Sequence, residues 1–393
     1  MGGSPDSPGS AMRERARLEW FVTDRGDPAT ILEDFLVDQG FPVRRMDRYG
    51  HPESPLGPGP TAALHLSANA CAVIAGGTLG AASPSPSVPD LVAVVYAETG
   101  PDEPEGDVRD SFWLGEWEPS WTPAAHEAAI RAVLDAIAEG EVYQVNVVGH
   151  ASAAYRGDPG AALLRVANLP GSRYPMVVRG SGWAIASASP ETLLEIHNGA
   201  AITRPIKGTR PATALGRREL LTSAKERAEH VMIVDLSRND LARVAHTGTV
   251  RVDELYAIRR WSDLWQAESV VTARLAHGVS LSQTLRALCP GGSVTGAPKL
   301  AALSQIAALE PVGRGPSMGA IGWLTRDRLD LGLTIRTVAA DGSRVHLWAG
   351  GGITWSSVPA EEVAEAAAKA GPMRRLLAPA LGRPASARPA ATG

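Results

Sequence analysis

Thr203-Arg204-Pro205-Ile206-Lys207-Gly208-Thr209-Arg210-Pro211, followed by a helical run from Arg217 to Val244, decides how this chain is read. The lysine stands between prolines and beside a glycine, in rigid, irregular backbone. Such a setting suits a fixed, partly desolvated amine whose pKa falls far enough to make it a nucleophile. The same spacing also suits an ordinary turn lysine. What favours chemistry is scarcity. Of 38 basic residues only Lys207, Lys225, Lys299 and Lys369 are lysine. Arginine cannot replace an amine that must lose a proton or present a compact charge.

Upstream of this stretch, Thr122-Pro123 reads as a helix start. Ile130, Val133, Leu134 and Ile137 keep helical spacing until Gly140. Val142 to Val148 alternates like a strand, with Tyr143, Val145 and Val147 on one face. Met176 to Ala188 and Thr192 to Ile196 read as strands. Downstream, helices are expected at Leu281 to Leu288, Lys299 to Leu309 and Pro359 to Leu377. Strands are expected at Gly319 to Leu324, Leu331 to Val338 and Arg344 to Ala349. Helices and strands alternate without a strict βαβ beat, so the fold class is α+β. Residues 15–120 read as strands and loops with little chemistry. Residues 1–12 and 379–393, rich in Pro, Ser, Ala and Gly, read as disordered.

Composition narrows the function. The 393 residues are 44% hydrophobic and 20% charged, with a formal net charge of -4. That balance gives no nucleic-acid footprint. No apolar run is long enough to span a bilayer. Met1 to Ser10 has no apolar stretch of signal-peptide type, so the expectation is a cytoplasmic protein. Cys71 and Cys289 make neither a disulfide framework nor a zinc cluster.

Four constellations could carry chemistry. Glu226 with Glu229, and Glu362 with Glu365, are carboxylate pairs three residues apart, each on one helical face. Carboxylates from two helices suit Mg²⁺, and they equally suit two solvated helix faces. Lys207 is the second constellation. Pro290-Gly291-Gly292-Ser293-Val294-Thr295-Gly296-Ala297-Pro298-Lys299 is the third. Its free backbone N–H groups lead into a helix and suit an anion or carboxylate, although it is no Walker loop. Gly350-Gly351-Gly352 after a strand adds close backbone. Ser189-Pro190-Glu191 offers a general acid if burial raises its pKa. Neither cysteine sits in the Gly-x-Cys-x-Gly elbow that glutamine-hydrolysing domains show, so if ammonia is used it must come from another chain or from solution.

Taken in order, these motifs resemble the chorismate-utilising enzymes. The likeness runs from about Thr122 to Leu377. It is carried by Tyr143-Gln144-Val145-Asn146, Ser189-Pro190-Glu191, Pro205 to Pro211, Lys225 to His230 leading into Asp235 to Leu241, Pro290 to Lys299, Ile335-Arg336-Thr337, and Ala349 to Ile353 with Glu365 and Lys369. The resemblance implies two packed antiparallel β-sheets with flanking helices, the anthranilate synthase component I-like fold. It implies an N-terminal subdomain over 13–120 and a chorismate-binding catalytic domain over 121–378.

It also implies roles. Glu229 and Glu365 match Mg²⁺ ligands, with Glu226 and Glu362 behind them. Gln144, Thr209, Thr295, Gly296, Arg336, Gly351 and Lys369 match substrate-binding positions. Water-adding members place a lysine base at Gln144, and anthranilate synthases typically carry alanine at Lys207. Lys207 is the aminodeoxychorismate synthase pattern: the lysine adds to ring C2 as the C4 hydroxyl leaves, Glu191 protonates that hydroxyl, and ammonia attacks C4. The product leads towards p-aminobenzoate, with ammonia from a glutamine amidotransferase partner. Two alternatives stay open: an anthranilate or aminodeoxyisochorismate synthase component I, and a catalytically weak chorismate-binding paralogue. The chain departs from the pattern at Gln266 (often histidine), Ser317 (usually tyrosine) and Ser356 (usually aspartate).

Overall fold

A computed structural model describes residues 10–50, 60–101, 112–261 and 264–378. Its first third holds β1 (Ser10–Trp20), α1 (Pro28–Asp38), β2 (Thr61–Leu66), α2 (Ala68–Ala75), β3 (Leu91–Pro101), β4 (Trp113–Leu114) and β5 (Glu118–Pro119). The middle holds α3 (Pro123–Ala138), β6 (Gln144–Arg156), α4 (Gly160–Ala167), β7 (Tyr174–Gly180), β8 (Trp183–Ser189), β9 (Thr192–His197), β10 (Ala200–Arg204), β11 (Ile206–Pro211), α5 (Ala214–Thr222) and α6 (Ala224–Ala242). The remainder is β12 (Arg251–Trp261), β13 (Leu264–Arg274), α7 (Leu281–Leu288), β14 (Gly296–Ala297), α8 (Lys299–Leu309), β15 (Ala320–Leu324), β16 (Arg328–Leu333), β17 (Thr337–Ala340), β18 (Arg344–Ile353) and α9 (Pro359–Leu377).

The strands form two antiparallel sheets among the described residues. One runs β1-β3-β2-β15-β16-β9-β10-β13-β11, with β12 beside β13; the other runs β14-β6-β18-β17-β8-β7. β1, β2 and β3 therefore continue the sheet that carries Lys207, while β4 and β5 pair with β6 of the other. The main core draws Leu64, Leu194, Val271 and Leu331 from the first sheet and Val148, Val178, Ile185 and Trp348 from the second. Burying such side chains on two facing sheets is what holds the layers together.

Several expectations are met at their ends. Thr122 caps α3 by accepting from Ala125 N–H, with Pro123 in the first turn, and Gly140 follows in the left-handed region (φ +81°). Four differ. Residues 10–12 open β1; the rest of the two segments expected to be disordered lies outside the described residues. Two helices, α1 and α2, interrupt the strands and loops expected over 15–120. The helix expected over 217–244 is two, because Ser223 adopts extended backbone and caps α6 by accepting from Glu226 N–H. The strand expected over 331–338 breaks at Arg336, whose φ is +50° and whose carbonyl accepts from Ala188 N–H. No helix among the described residues is long and apolar enough to cross a membrane.

Candidate active site

Lys207 lies where β11 leaves its register with β13, the shift falling between Lys207 and Thr209. Gly208 makes that shift possible: its φ is +84°, and a Cβ there would meet Glu226 Oε2 at 2.9 Å. The backbone thus turns the Lys207 side chain onto α6. Its ammonium lies 2.9 Å from Glu229 Oε2. Burial pulls the Lys207 pKa down, but the carboxylates of Glu229, Glu365 and Glu226 outweigh it, and the net shift is upward. This corrects the expectation of a lowered pKa. Desolvation alone would lower it; the three glutamates that the fold brings to the amine reverse the sign.

The carboxylates come from α6 and α9, the two helices expected to supply them. Glu229 Oε1 accepts from the Thr354 hydroxyl at 3.1 Å. Glu362 accepts from Ser357 at 2.7 Å; burial pushes its pKa up. Glu365, 57% exposed, pairs with Lys369 at 2.7 Å. Burial works against its ionisation, but Lys369 and Lys207 prevail and the pKa falls. Glu226 turns instead to Arg210 at 3.2 Å. Gly351 closes the cluster from β18: a Cβ there would come 3.0 Å from Glu362 Oε2 and 3.7 Å from Lys369 Nζ. Lys369 also donates to the Gly350 carbonyl at 2.9 Å.

Among the described residues no three His, Cys, Asp or Glu side chains are gathered at metal-holding spacing. The chemistry of the donor set nonetheless fits a hard dication. It is all carboxylate, it exceeds the charge of Lys207, and Glu365 is open to solvent.

A second group surrounds Glu191, which is buried at the β8–β9 turn. Burial raises its pKa to about 7; the Ser293 hydrogen bond and the Ile206 N–H pull it down, Glu268 raises it, and Lys207 lowers it. Ser293 Oγ donates to Glu191 Oε1 at 2.9 Å. A carboxyl poised near neutrality beside an ammonium can give up a proton to a leaving group. A narrow recess reaches Glu191 and Ser293, bounded by Ile233, Ser237 and Asp240 of α6.

The expected substrate wall is also assembled. Gly296 in β14 pairs with Val145 of β6. At φ +148° it approaches the Gln144 carbonyl so closely that a Cβ would lie 2.0 Å away. Thr295 donates its hydroxyl to the Gly291 carbonyl. Gln144 is fully buried, and neither amide atom of its side chain has a hydrogen-bond partner. Its amide lies against Gly352, where a Cβ would sit 3.1 Å from Nε2. An unsatisfied buried amide beside a glycine leaves polar atoms for a ligand to complete. Thr209 accepts from Gln266 Nε2 at 3.4 Å. Arg336 occupies the bend between β16 and β17, tied through its carbonyl to the strand that ends at Ser189.

Not every singled-out residue joins the site. Lys299 binds Asp240 at 3.0 Å and the Ala287 and Leu288 carbonyls, fastening α8 to α6 and α7. Ser317 is buried and donates to the Thr334 carbonyl. Conversely, the holders of the acidic groups went unread. Thr354 and Ser357 under the glutamates, and Ser293 on Glu191, lie 125, 5 and 102 residues from their partners. Only the Ser357–Glu362 pair is near enough in sequence to have been noticed.

Comparison with known proteins follows the same lines. The model of a family described as chorismate binding enzyme matches residues 81–375. The chain is 37% identical over 282 residues to aminodeoxychorismate synthase component 1 of Klebsiella aerogenes, covering 70% of this chain and 61% of that protein. It is 36% identical over 266 residues to anthranilate synthase component 1 of Pseudomonas aeruginosa, covering 66% and 54%. The matches thus span between half and two thirds of these curated relatives. The crystal structure of anthranilate synthase component I from Streptococcus pneumoniae TIGR4 superposes with a TM-score of 0.76 at 26% identity, covering 95% of this chain and 94% of that one. That agreement establishes the expected fold.

Proposed function

The chain belongs to the chorismate binding enzyme family, and from that premise we propose that it aminates chorismate at C4 to give 4-amino-4-deoxychorismate. The observation that carries this reading is Lys207: its ammonium is set against Glu229, within reach of the field of Glu191.

In this mechanism the neutral Lys207 amine adds to ring C2 and both ring double bonds shift by one position towards C4. The C4–O bond breaks, and the hydroxyl leaves as water with the proton of Glu191. Ammonia then adds at C4, both double bonds shift back, and the C2–N bond breaks to release Lys207. The proton lost by the incoming nitrogen restores Glu191. The sum is chorismate plus ammonia to aminodeoxychorismate plus water. Gln144, Thr295 and the backbone at Gly296 and Gly351 would seat the ring and its carboxylates, with Arg336 and Lys369 supplying positive charge. Glu229 and Glu365 would hold Mg²⁺, with Glu362 and Glu226 behind them. Bound Mg²⁺ would supply charge for a substrate carboxylate and cancel the field that keeps Lys207 protonated. Ammonia would come from a glutamine amidotransferase subunit; both "component 1" relatives carry names that imply a second component.

A second reading is amination at C2, as in the anthranilate synthase branch to which the chain is also similar. One experiment separates them. The purified chain is incubated with chorismate, Mg²⁺ and an ammonium salt, beside Lys207→Ala. A C4-amino product that the variant hardly forms supports the proposal. Anthranilate, an amine at C2, or chorismate bound without turnover sinks it.

A further inference from the structure

Ser293, which holds Glu191, stands in a single 3-10 turn, Gly292–Val294. The turn's own backbone bonds are long, Val294 N–H and Thr295 N–H reaching the Gly291 and Gly292 carbonyls at 3.3 Å each, and the Thr295 hydroxyl closes it on the Gly291 carbonyl at 2.8 Å. Its firm anchor comes from Arg314, beyond α8. Arg314 Nη1 donates to the Val294 carbonyl and Nη2 to the Asn146 carbonyl, both at 2.6 Å. Its Nε and Nη2 also grip Glu310 at 2.8 and 2.6 Å. Glu310 in turn accepts from Val148 N–H at 2.9 Å. Both side chains are buried. Asn146 completes the frame, its N–H donating to the Thr295 carbonyl at 2.7 Å and its Nδ2 to the Ser293 carbonyl at 3.4 Å.

A buried ion pair adds little stability over apolar packing, because desolvation cancels most of the attraction. What a planar guanidinium adds is fixed direction: several donors at set angles. Here those donors end on the two carbonyls that flank the loop touching Glu191. From this arrangement we infer that Arg314, held by Glu310, is a positioning residue for Glu191: it fixes the Val294 and Asn146 carbonyls and thereby aims the Ser293 hydroxyl at the Glu191 carboxyl. A lysine at 314 keeps the charge and loses the fork, so it cannot span both carbonyls and Glu310 together.

The proposed function gives Glu191 its catalytic meaning, but the positioning itself can be read without turnover. The groups acting on Glu191 are the Ser293 hydroxyl, the Ile206 N–H, the Glu268 carboxylate and the Lys207 ammonium; Arg314 is not among them. The test is a pH titration of the Glu191 carboxyl band by difference infrared spectroscopy on the full chain. The band is identified by its loss in Glu191→Gln. Arg314→Lys is expected to move the midpoint up by about half a unit or more, the size of a weakened hydrogen bond. Ser293→Ala is expected to do the same, and to add little when placed in Arg314→Lys. If Arg314→Lys does not fold, Glu310→Gln is titrated instead, since it frees the guanidinium from its bidentate partner. The kcat for amination should fall at least tenfold in the folded variant, with KM for chorismate changed less than threefold. An unmoved midpoint in the folded Arg314 or Glu310 variant overturns the inference, as do shifts that simply add in the double variant. A wild type that makes no C4-amine, yet whose Glu191 titration still answers to Arg314, sinks the proposed function and leaves the positioning standing.

Discussion

Two walls of the molecule each present a lysine to acidic partners, and they do opposite things with it. On the β11–α6 wall, Lys207 faces Glu229, with Glu226 and Glu365 close enough to raise its pKa. Charge is in surplus there, and Glu365 is open to solvent. On the wall formed by residues 290–299, Lys299 meets one carboxylate, Asp240, and two carbonyls at the end of α7. That site is balanced and closed, and the last carbonyls of a helix attract a cation. The lesson is that a buried lysine is structural when its donors and charge are both satisfied. It becomes a candidate catalyst when the negative charge around it exceeds what one ammonium can neutralise.

Lys207→Ala tests this contrast most severely. Product formation should fall by at least about 10³-fold, the scale of losing a covalent catalyst, while the melting temperature changes little. A variant that stays active but unfolds early would break the comparison, since Lys207 would then be the structural one.

Glu191→Gln comes next, with a loss of roughly 10²-fold or more in kcat. Wild-type activity should also have an alkaline limb near pH 7, because the acid must carry its proton. The linkage sign is set by a raised pKa. The carboxyl's contribution to stability is present below its unfolded value and fades as pH rises through about 7. At pH 8, Glu191→Gln should therefore be more stable than wild type, by up to about 3 kcal/mol, and near pH 4.5 the two should match. Thermal melts across that range decide it.

Lys299→Met strands Asp240 beside an apolar side chain. A loss of about 3 kcal/mol in chemical denaturation is expected, with much of it recovered in Lys299→Met/Asp240→Leu. A negligible loss would show that the second wall is not held as described. The smallest effect is on the metal. Glu365→Gln should raise the Mg²⁺ concentration for half-maximal activity by about tenfold or more, a change of the size seen when groups around a metal are altered. An unchanged Mg²⁺ requirement would remove Glu365 from the cation site.

Local signals were legible wherever the chain announces its own boundaries. The helices at Leu281–Leu288 and Lys299–Leu309 end where their spacing and their proline neighbours say, and Pro359–Leu377 starts at its proline but runs on through Gly371-Pro372, carried by its spacing. Two misses had signals that were available. Asp27-Pro28 opens α1 as Thr122-Pro123 opens α3, and Ser223, three before Glu226, marks the start of α6. The helix Ala68–Ala75 carried them too, with Ser67 as its cap and left-handed Gly76 at its end, although eight mostly apolar residues suit a buried strand as well as a buried helix. The bend at Arg336 is silent, since nothing about arginine favours a positive φ.

The sequence by itself determined the α+β class, the family motifs, the two glutamate pairs and the importance of Lys207. Those features rest on residue type and short-range spacing, which a chain carries before it folds. Only the tertiary structure decided the direction of the Lys207 pKa, the near-neutral pKa of Glu191, the structural duty of Lys299 and the grip of Arg314 on the Ser293 turn. Each of these depends on which groups become neighbours and how much water they lose. Neighbours such as Asn146 and Arg314 stand 168 residues apart, so no local pattern can hold that information.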